Sequence, residues 1–402
     1  MALVVRPMQE SDREQGFRAY VDAYGAGPDV MASLAEASLD NRWVVVDGAT
    51  VLGIMRVLPF AQMYGGRPVA STGVGAVAVA LEGRSKGVSR ALMSEWLRAQ
   101  HAEGLPLSIL YMSTIAAYRP HGYEMSGGRT RYRLPLEHLP RRQPAPVTGW
   151  GDDDLDDIDA CLQRIAATSN GMMMRPDWWW HQRVFSQVED NQYLYRYRVV
   201  EDGRTTGFTV YTTKYEHRAD FPVQWYPEPD CVAIVVRDLF WETPTAGQSL
   251  LGFFAGQRTV GTNLTWTGPA NDPMTAFVPE HLPQTESAYQ WMTRVVHLPK
   301  AIEARGYPSD VRVEVSFEIV DTVVPGNSGA YRLVVADGAA SLEHARSASM
   351  RIDIGGFAPV YTGWWSAAAA AQAGLITGAS ESDLAALGAA FAGPQPWLNE
   401  FF

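Results

Sequence analysis

Val77-Ala-Val-Ala-Leu-Glu-Gly-Arg84-Ser-Lys86-Gly87-Val-Ser-Arg90-Ala-Leu92 decides the reading of this chain: an apolar run ends in a basic, glycine-containing turn that passes directly into a helical pattern. Val74, Ala76 and Ala78 alternate with Gly75, Val77 and Val79 as a buried strand requires. Leu92, Met93, Trp96 and Leu97 then recur at helical spacing. The backbone amides of Arg84, Ser85, Lys86, Gly87, Val88 and Ser89 therefore fall at a helix N-terminus. Unpaired N–H groups and the positive end of the helix dipole favour an anion there, and Gly87 lets backbone approach it closely. Arg84, Lys86 and Arg90 add the charge that a diphosphate needs. The plainer reading is a strand-turn-helix whose cations are solvated.

Spacing tells against the plainer reading. Val-x-Val, an Arg five residues on, a Gly three later and a Leu five after that resembles the acetyl-CoA motif of the GCN5-related N-acetyltransferases, the GNAT superfamily. Leu81 stands where these proteins often carry Pro, and Ser85 where a second Arg is common. Neither change removes the amide cradle. The resemblance implies acetyl-CoA as co-substrate, held by Val77, Ala78 and Val79 of the strand and by residues 84–90. No metal is expected.

The surrounding sequence supplies the rest of such a domain. Val4-Val-Arg6-Pro7 reads as a strand, and Ser11-x-x-Glu14 as a capping box for a helix reaching about Tyr24. Two strands meet at Asp47-Gly48, a tight-turn pair, and a second turn lies at Tyr64-Gly65-Gly66-Arg67. Leu107 to Met112 is a buried strand and Ile115 to Tyr118 a short helix. In the GNAT fold the motif strand and the Leu107 strand splay apart and the cofactor enters between them. Ser113-Thr114-Ile-Ala-Ala-Tyr118-Arg-Pro-His-Gly122-Tyr123 resembles the segment whose Tyr protonates the departing thiolate. By that match Tyr118 is the general acid, and Ser113 and Thr114 contact the pantetheine arm. A phenol of ordinary pKa about 10 is neutral at pH 7 and can protonate a thiolate of pKa about 8.5. Tyr123 is the rival, read as a core residue, and a merely packed Tyr118 is the plainer alternative.

A chain of 402 residues is too long for one such domain, since roughly 150 residues per domain gives two to three. Only Cys161 and Cys231 are present, and there is no signal peptide or membrane-length apolar run, so a cytoplasmic protein is expected. A net charge of −11 argues against nucleic acid and favours a cationic substrate. The prolines at 135, 140, 144 and 146 read as a linker. Beyond it the acidic run 152–159 fits a helix N-terminus, and Met172-Met-Met-Arg175-Pro-Asp-Trp178-Trp-Trp180 fits core or interface, a cation held on its aromatic faces being the lesser alternative.

Residues 193–254 repeat the strand-turn-strand and strand-helix order around Asp202-Gly203, with a buried strand from Cys231 to Val236. Between Val236 and Leu250 the only cation is Arg237 and no basic Gly turn occurs. A degenerate copy of the first domain, without the cradle, is expected, and hence one cofactor per chain. From about Trp291 strands alternate cleanly at Val311 to Ile319 and Met350 to Ile354, followed by Ala-rich helices over 366–373 and 383–391 with Ser380 as cap.

An active GNAT domain (1–140), a decayed one (147–290) and a small α+β module (291–402) together resemble the enhanced intracellular survival (Eis) family of acetyltransferases. The fold class expected is mixed α/β (α+β): two tandem GNAT domains and a sterol-carrier-protein-like domain. The resemblance further implies homohexamers, and acetylation of amines on aminoglycoside-like small molecules or protein lysines. It also implies that the C-terminus reaches the first domain's active site, where the α-carboxylate of Phe402 serves as base. Trp397-Leu-Asn-Glu400-Phe401-Phe402 is an aromatic end, and two buried rings at about 1.5–3 kcal/mol each would anchor it. A carboxylate of pKa roughly 3.3–3.7 is a poor base for an ammonium, so stabilising the cationic amine is the larger part of that role. Glu400 is a candidate for recognising the cation. Two other classes stay open: an acetyl-CoA-sensing carrier of lipids or other hydrophobic ligands, and an assembly scaffold with a vestigial site.

Overall fold

The computed structural model describes residues 3–34, 36–186, 192–215, 232–259, 261–279 and 282–402. Two compact units emerge: one holds residues 1–127, 291–394 and 401–402, the other 128–290 and 395–400.

The first unit opens with β1 (Leu3–Pro7), α1 (Arg13–Tyr24), α2 (Pro28–Leu34), β2 (Arg42–Asp47), β3 (Thr50–Tyr64), β4 (Arg67–Val79), α3 (Val88–Ala102), β5 (Leu107–Leu110), α4 (Ile115–Tyr118) and β6 (Glu124–Pro135). The expected helix near Ser11 is present, but its cap is different. Gln9 N donates to Asp12 Oδ2 at 2.8 Å, and Arg6 on β1 draws the same carboxylate at 2.5 Å, so Ser11 and Glu14 are not the capping pair. Helix α3 buries the stripe that its periodicity foretold, Leu92, Met93, Trp96 and Leu97, and Val88 with it. These pack with Val45, Leu52, Val57 and Val74 of β2, β3 and β4.

The second unit is built from β7 (Val147–Gly149), α5 (Leu155–Ala167), β8 (Met173–Met174), α6 (Asp177–Trp179), β9 (Tyr195–Glu201), β10 (Arg204–Tyr215), β11 (Val232–Trp241), α7 (Pro244–Ala255), β12 (Gly261–Gly268) and β13 (Gln284–Val295). Cys231, the expected start of β11, lies outside the described residues. The tryptophan cluster is core: Trp179 and Trp180 are buried, and the cation lying 4.4 Å over the Trp180 ring is the chain's own Arg175.

Strand order exposes an internal duplication. Strands β1, β2, β3, β4, β5 and the Trp291–Val295 end of β13 neighbour one another in that order in the first unit. Strands β7, β9, β10, β11, β12 and the Gly128–Pro135 end of β6 do so in the second. In each the third and fourth strands are antiparallel, the fourth and fifth parallel with a helix between, and the sixth antiparallel. Each unit's sixth strand thus comes from the other half of the sequence. For that reason the proline-rich stretch 135–146 does not divide the units, which part within β6 and β13 instead.

The remaining elements are α8 (Leu298–Ala304), β14 (Val313–Val320), β15 (Gly329–Ala336), β16 (Ala339–His344), β17 (Met350–Asp353), α9 (Ile354–Thr362), α10 (Ala367–Gln372), β18 (Ile376–Thr377) and α11 (Glu381–Ala390). The Met350-Ile352-Ile354 alternation, read as strand throughout, ends at Asp353. Ile354 begins a helix whose residues are nearly all buried, and a helix buried all round has no periodic stripe to announce it. The five strands run β16-β15-β14-β17-β18. This module belongs to the first unit, where Leu298, Ile302, Phe317 and Phe357 share one core with Tyr64, Val69 and Leu107. A fully buried Arg294–Asp321 ion pair at 2.5 Å lies beside that core. Among the described residues, no helix is long and apolar enough to cross a membrane.

Candidate active site

The site begins where β4 and β5 part. Their parallel pairing spans only Ser71–Leu107, Thr72–Ser108 and Gly73–Ile109, after which β4 continues alone to Val79. A bulge helps to turn it away. Ile54 pairs with Ala78 but Arg56 with Gly75, which leaves an extra residue in β4, and Ala76 takes φ +52°. Val77 and Val79 are part-exposed on the splayed segment, whereas the Ala78 side chain packs with Met8, Phe17 and Ile54, so only its backbone can serve a ligand.

From β4 the chain makes a 3₁₀ turn over Leu81–Gly83 and reaches α3 through Gly87, whose φ of +76° suits glycine. Among the described residues the amides of Ser85, Gly87, Val88, Ser89 and Arg90 have no backbone partner, the first α3 bond being Ala91 N to Gly87 O at 2.9 Å. Arg84, Lys86 and Arg90 are exposed and make no salt bridge among the described residues. The expected anion cradle is therefore open.

Tyr118 ends α4 and is buried. Burial raises its phenol above the usual value, and a hydrogen bond with the Ser113 hydroxyl offsets part of that rise. The group stays protonated at neutral pH, as a general acid must. Tyr123 is fully buried, 2.8 Å from the Ser108 hydroxyl, in the core position expected of it. Ser113 and Thr114 are exposed at the head of α4.

The other end of the chain arrives at the same fork. The Phe402 ring packs edge-on against Phe60 of β3 and Tyr111, with centroids 5.7 and 5.6 Å away, and Phe401 lies 4.5 Å from Tyr111. A Cβ on Gly73 would sit 2.5 Å from Phe402 Cε2, so the seat exists because residue 73 has no side chain. A Cβ on Gly75 would lie 3.7 Å from the terminal carboxylate carbon. The carboxylate thus stands beside β4, two residues from Val77.

Sequence reasoning missed Gly73, Phe60, Tyr111 and Tyr24. An isolated glycine within a strand signals close backbone approach, and Gly73 carried that signal. Tyr24, more than half exposed at the end of α1, donates to Val77 O at 3.4 Å, and its phenol feels Tyr118. Glu400 is placed elsewhere than expected. It is buried, and its carboxylate accepts from Arg175 Nε at 2.6 Å, so it is committed to an internal cation rather than held ready for a substrate.

In the second unit the equivalent strand-to-helix link is only Glu242 and Thr243, and Thr243 Oγ1 already accepts the Ala246 amide at 3.1 Å. Glu242 is paired with Arg164 and Arg204. This helix end is thus capped and lies beside a carboxylate, unlike that of α3.

Comparison with known proteins agrees with this architecture. Residues 4–126 and 171–295 each match an acetyltransferase (GNAT) domain, and residues 298–399 match a sterol carrier protein domain. An N-acetyltransferase of Streptomyces avermitilis is 24% identical over 429 residues, covering all of both chains. The crystal structure of a GCN5-related N-acetyltransferase from Anabaena variabilis superposes with a TM-score of 0.91 at 25% identity, each chain covered completely. Eis1 from Mycobacterium abscessus, at 20% identity, has the same fold, with a TM-score of 0.81 over the whole of both chains. The chain thus carries two GNAT acetyltransferase domains followed by a sterol-carrier-type domain, the organisation of an N-acetyltransferase, and shares its fold with Eis1.

Proposed function

We propose that this N-acetyltransferase moves the acetyl group of acetyl-CoA directly to an amine, at a site in the first GNAT domain completed by the C-terminal carboxylate. The observation that carries the reading is that carboxylate, seated beside Gly75 on the splayed part of β4. The coenzyme's diphosphate lies on the free amides among residues 85–90 with Arg84, Lys86 and Arg90 around it. Its pantetheine arm runs along Val77 and Val79 and past Ser113 and Thr114. The amine nitrogen attacks the acetyl carbon, the Phe402 carboxylate stabilises or takes the proton it sheds, and Tyr118 protonates the departing thiolate. Acceptors with several cationic amines, aminoglycoside-like molecules or lysine side chains, suit an acidic chain.

A lipid-carrier role is less well supported. The interior of the C-terminal module is filled by its own Phe317, Phe357, Tyr361 and Phe391, which a lipid would have to displace.

Two variants test the reading together. Residues appended after Phe402 should lower kcat at least tenfold, and Tyr118→Phe should do the same, each leaving coenzyme A affinity within about twofold. A tenfold loss corresponds to about 1.4 kcal/mol of transition-state stabilisation. Wild-type turnover by the extended chain removes Phe402 from the mechanism, and wild-type turnover by Tyr118→Phe reassigns the acid.

A further inference from the structure

The second GNAT domain keeps the opened strands of a cofactor cleft without the cradle. Strands β11 and β12 pair only as far as Val235–Thr265, and β11 then runs on to Trp241. Val210 pairs with Asp238 but Tyr211 with Val236, so Arg237 is an extra residue, the counterpart of the bulge in β4. The segment Arg237 to Phe240 is thus the equivalent of the β4 stretch assigned above to the pantetheine arm, and its role depends on that reading of the first domain.

Residues 395–400 of the same unit fill this place. Gly128 N, on β6 beyond the end of its pairing with β12, donates to Pro396 O at 3.3 Å, and Trp397 N donates to Asn170 O at 3.0 Å. The Trp397 ring stands 6.0 Å from that of Phe240, and Leu398 is fully buried. Asn399 Nδ2 donates at 2.8 Å to both the bulge carbonyl of Arg237 and Asp238 Oδ1. Below them Arg175 gives Nη1 and Nη2 to Asp238 at 2.8 and 2.7 Å, and gives its Nε to Glu400 at 2.6 Å. Asp238 cannot use all three donor nitrogens of that buried guanidinium. The site therefore carries a cationic donor that the tail's carboxylate satisfies, and an unmet charge there would be expensive.

We propose that the decayed cofactor cleft of the second GNAT domain is a peptide socket, recognising the chain's own C-terminal segment through Trp397, Asn399 and Glu400 where an acyl-CoA arm would otherwise lie. Loss of the diphosphate cradle together with retention of the strand splay is what such a conversion requires. Hydrogen exchange read by mass spectrometry on the full-length chain tests it. In Trp397→Ala and Asn399→Ala, which alter only the tail, and in Asp238→Asn, which alters only the socket, amides 397–400 should exchange at least tenfold faster. Exchange over 195–201 should stay at the wild-type rate. Wild-type exchange of the tail in Trp397→Ala and Asn399→Ala overturns the socket, whatever Asp238→Asn does. Acetyl transfer keeps the two proposals apart: faster tail exchange supports the socket at any kcat, because Phe402 has its own seat against Gly73, Phe60 and Tyr111, while the chain extended after Phe402 tests the terminal carboxylate.

Discussion

At the scale of single residues the site depends on an absence. Gly73 is the last residue of β4 paired with β5, and the volume a side chain would need there is taken by the Phe402 ring. Gly73→Ala puts a methyl group 2.5 Å from Cε2 of that ring and 2.9 Å from Phe60 Cε1. A chain terminus yields more easily than a strand, so the substitution should unseat Phe402 while the sheet stays folded. Steady-state kinetics should show kcat reduced about tenfold or more, with a melting temperature within a few degrees of wild type. Undiminished kcat would mean that the seat of the ring does not set the position of the carboxylate.

At the scale of elements, two helices of similar length follow two equivalent strands, and their N-termini differ in every respect that matters to an anion. Helix α3 is reached by an eight-residue link with free amides, whereas α7 is capped by Thr243 after two residues. The segment after α4 carries a titration signature of its own. His121 is buried, with Nδ1 3.3 Å from Ser94 Oγ on α3. Burial, followed by the charges of Arg90 and Arg294, pushes its pKa down to about 4. The unfolded chain then holds the extra proton between roughly pH 6.5 and pH 4. The contribution of the neutral imidazole is complete above the ordinary value and is lost as pH falls towards the folded one. The full effect is on the order of 3 kcal/mol. Melting temperatures measured across this window should fall more steeply for wild type than for His121→Gln, and equal slopes would count against the burial argument.

At the scale of the molecule, duplication without duplicated chemistry predicts stoichiometry. Calorimetric titration with coenzyme A should give one equivalent per chain, and Arg84→Ala combined with Lys86→Ala should weaken it about tenfold or more. Two equivalents would show that the second cleft binds the coenzyme despite its capped helix and the tail that fills it.

What the sequence determined by itself was what local geometry encodes. The 77–92 stretch gave strand, turn and helix, because apolar period and glycine conformation act over a few residues. Asp202-Gly203 gave a tight turn, and both of its residues take positive φ. Tyr118 was marked by its motif, and the missing cradle of the second domain by an absence of cations. Tertiary structure alone decided the exchange of sixth strands, the seat of Phe402 at Gly73 and the pairing of Glu400 with Arg175 across 225 residues. Each joins groups far apart in the chain, and no sequence period reports which distant partner a buried ring or charge will meet. The same limit explains Glu400. A carboxylate beside the terminus reads as available to a substrate until the folded chain brings a buried guanidinium to it.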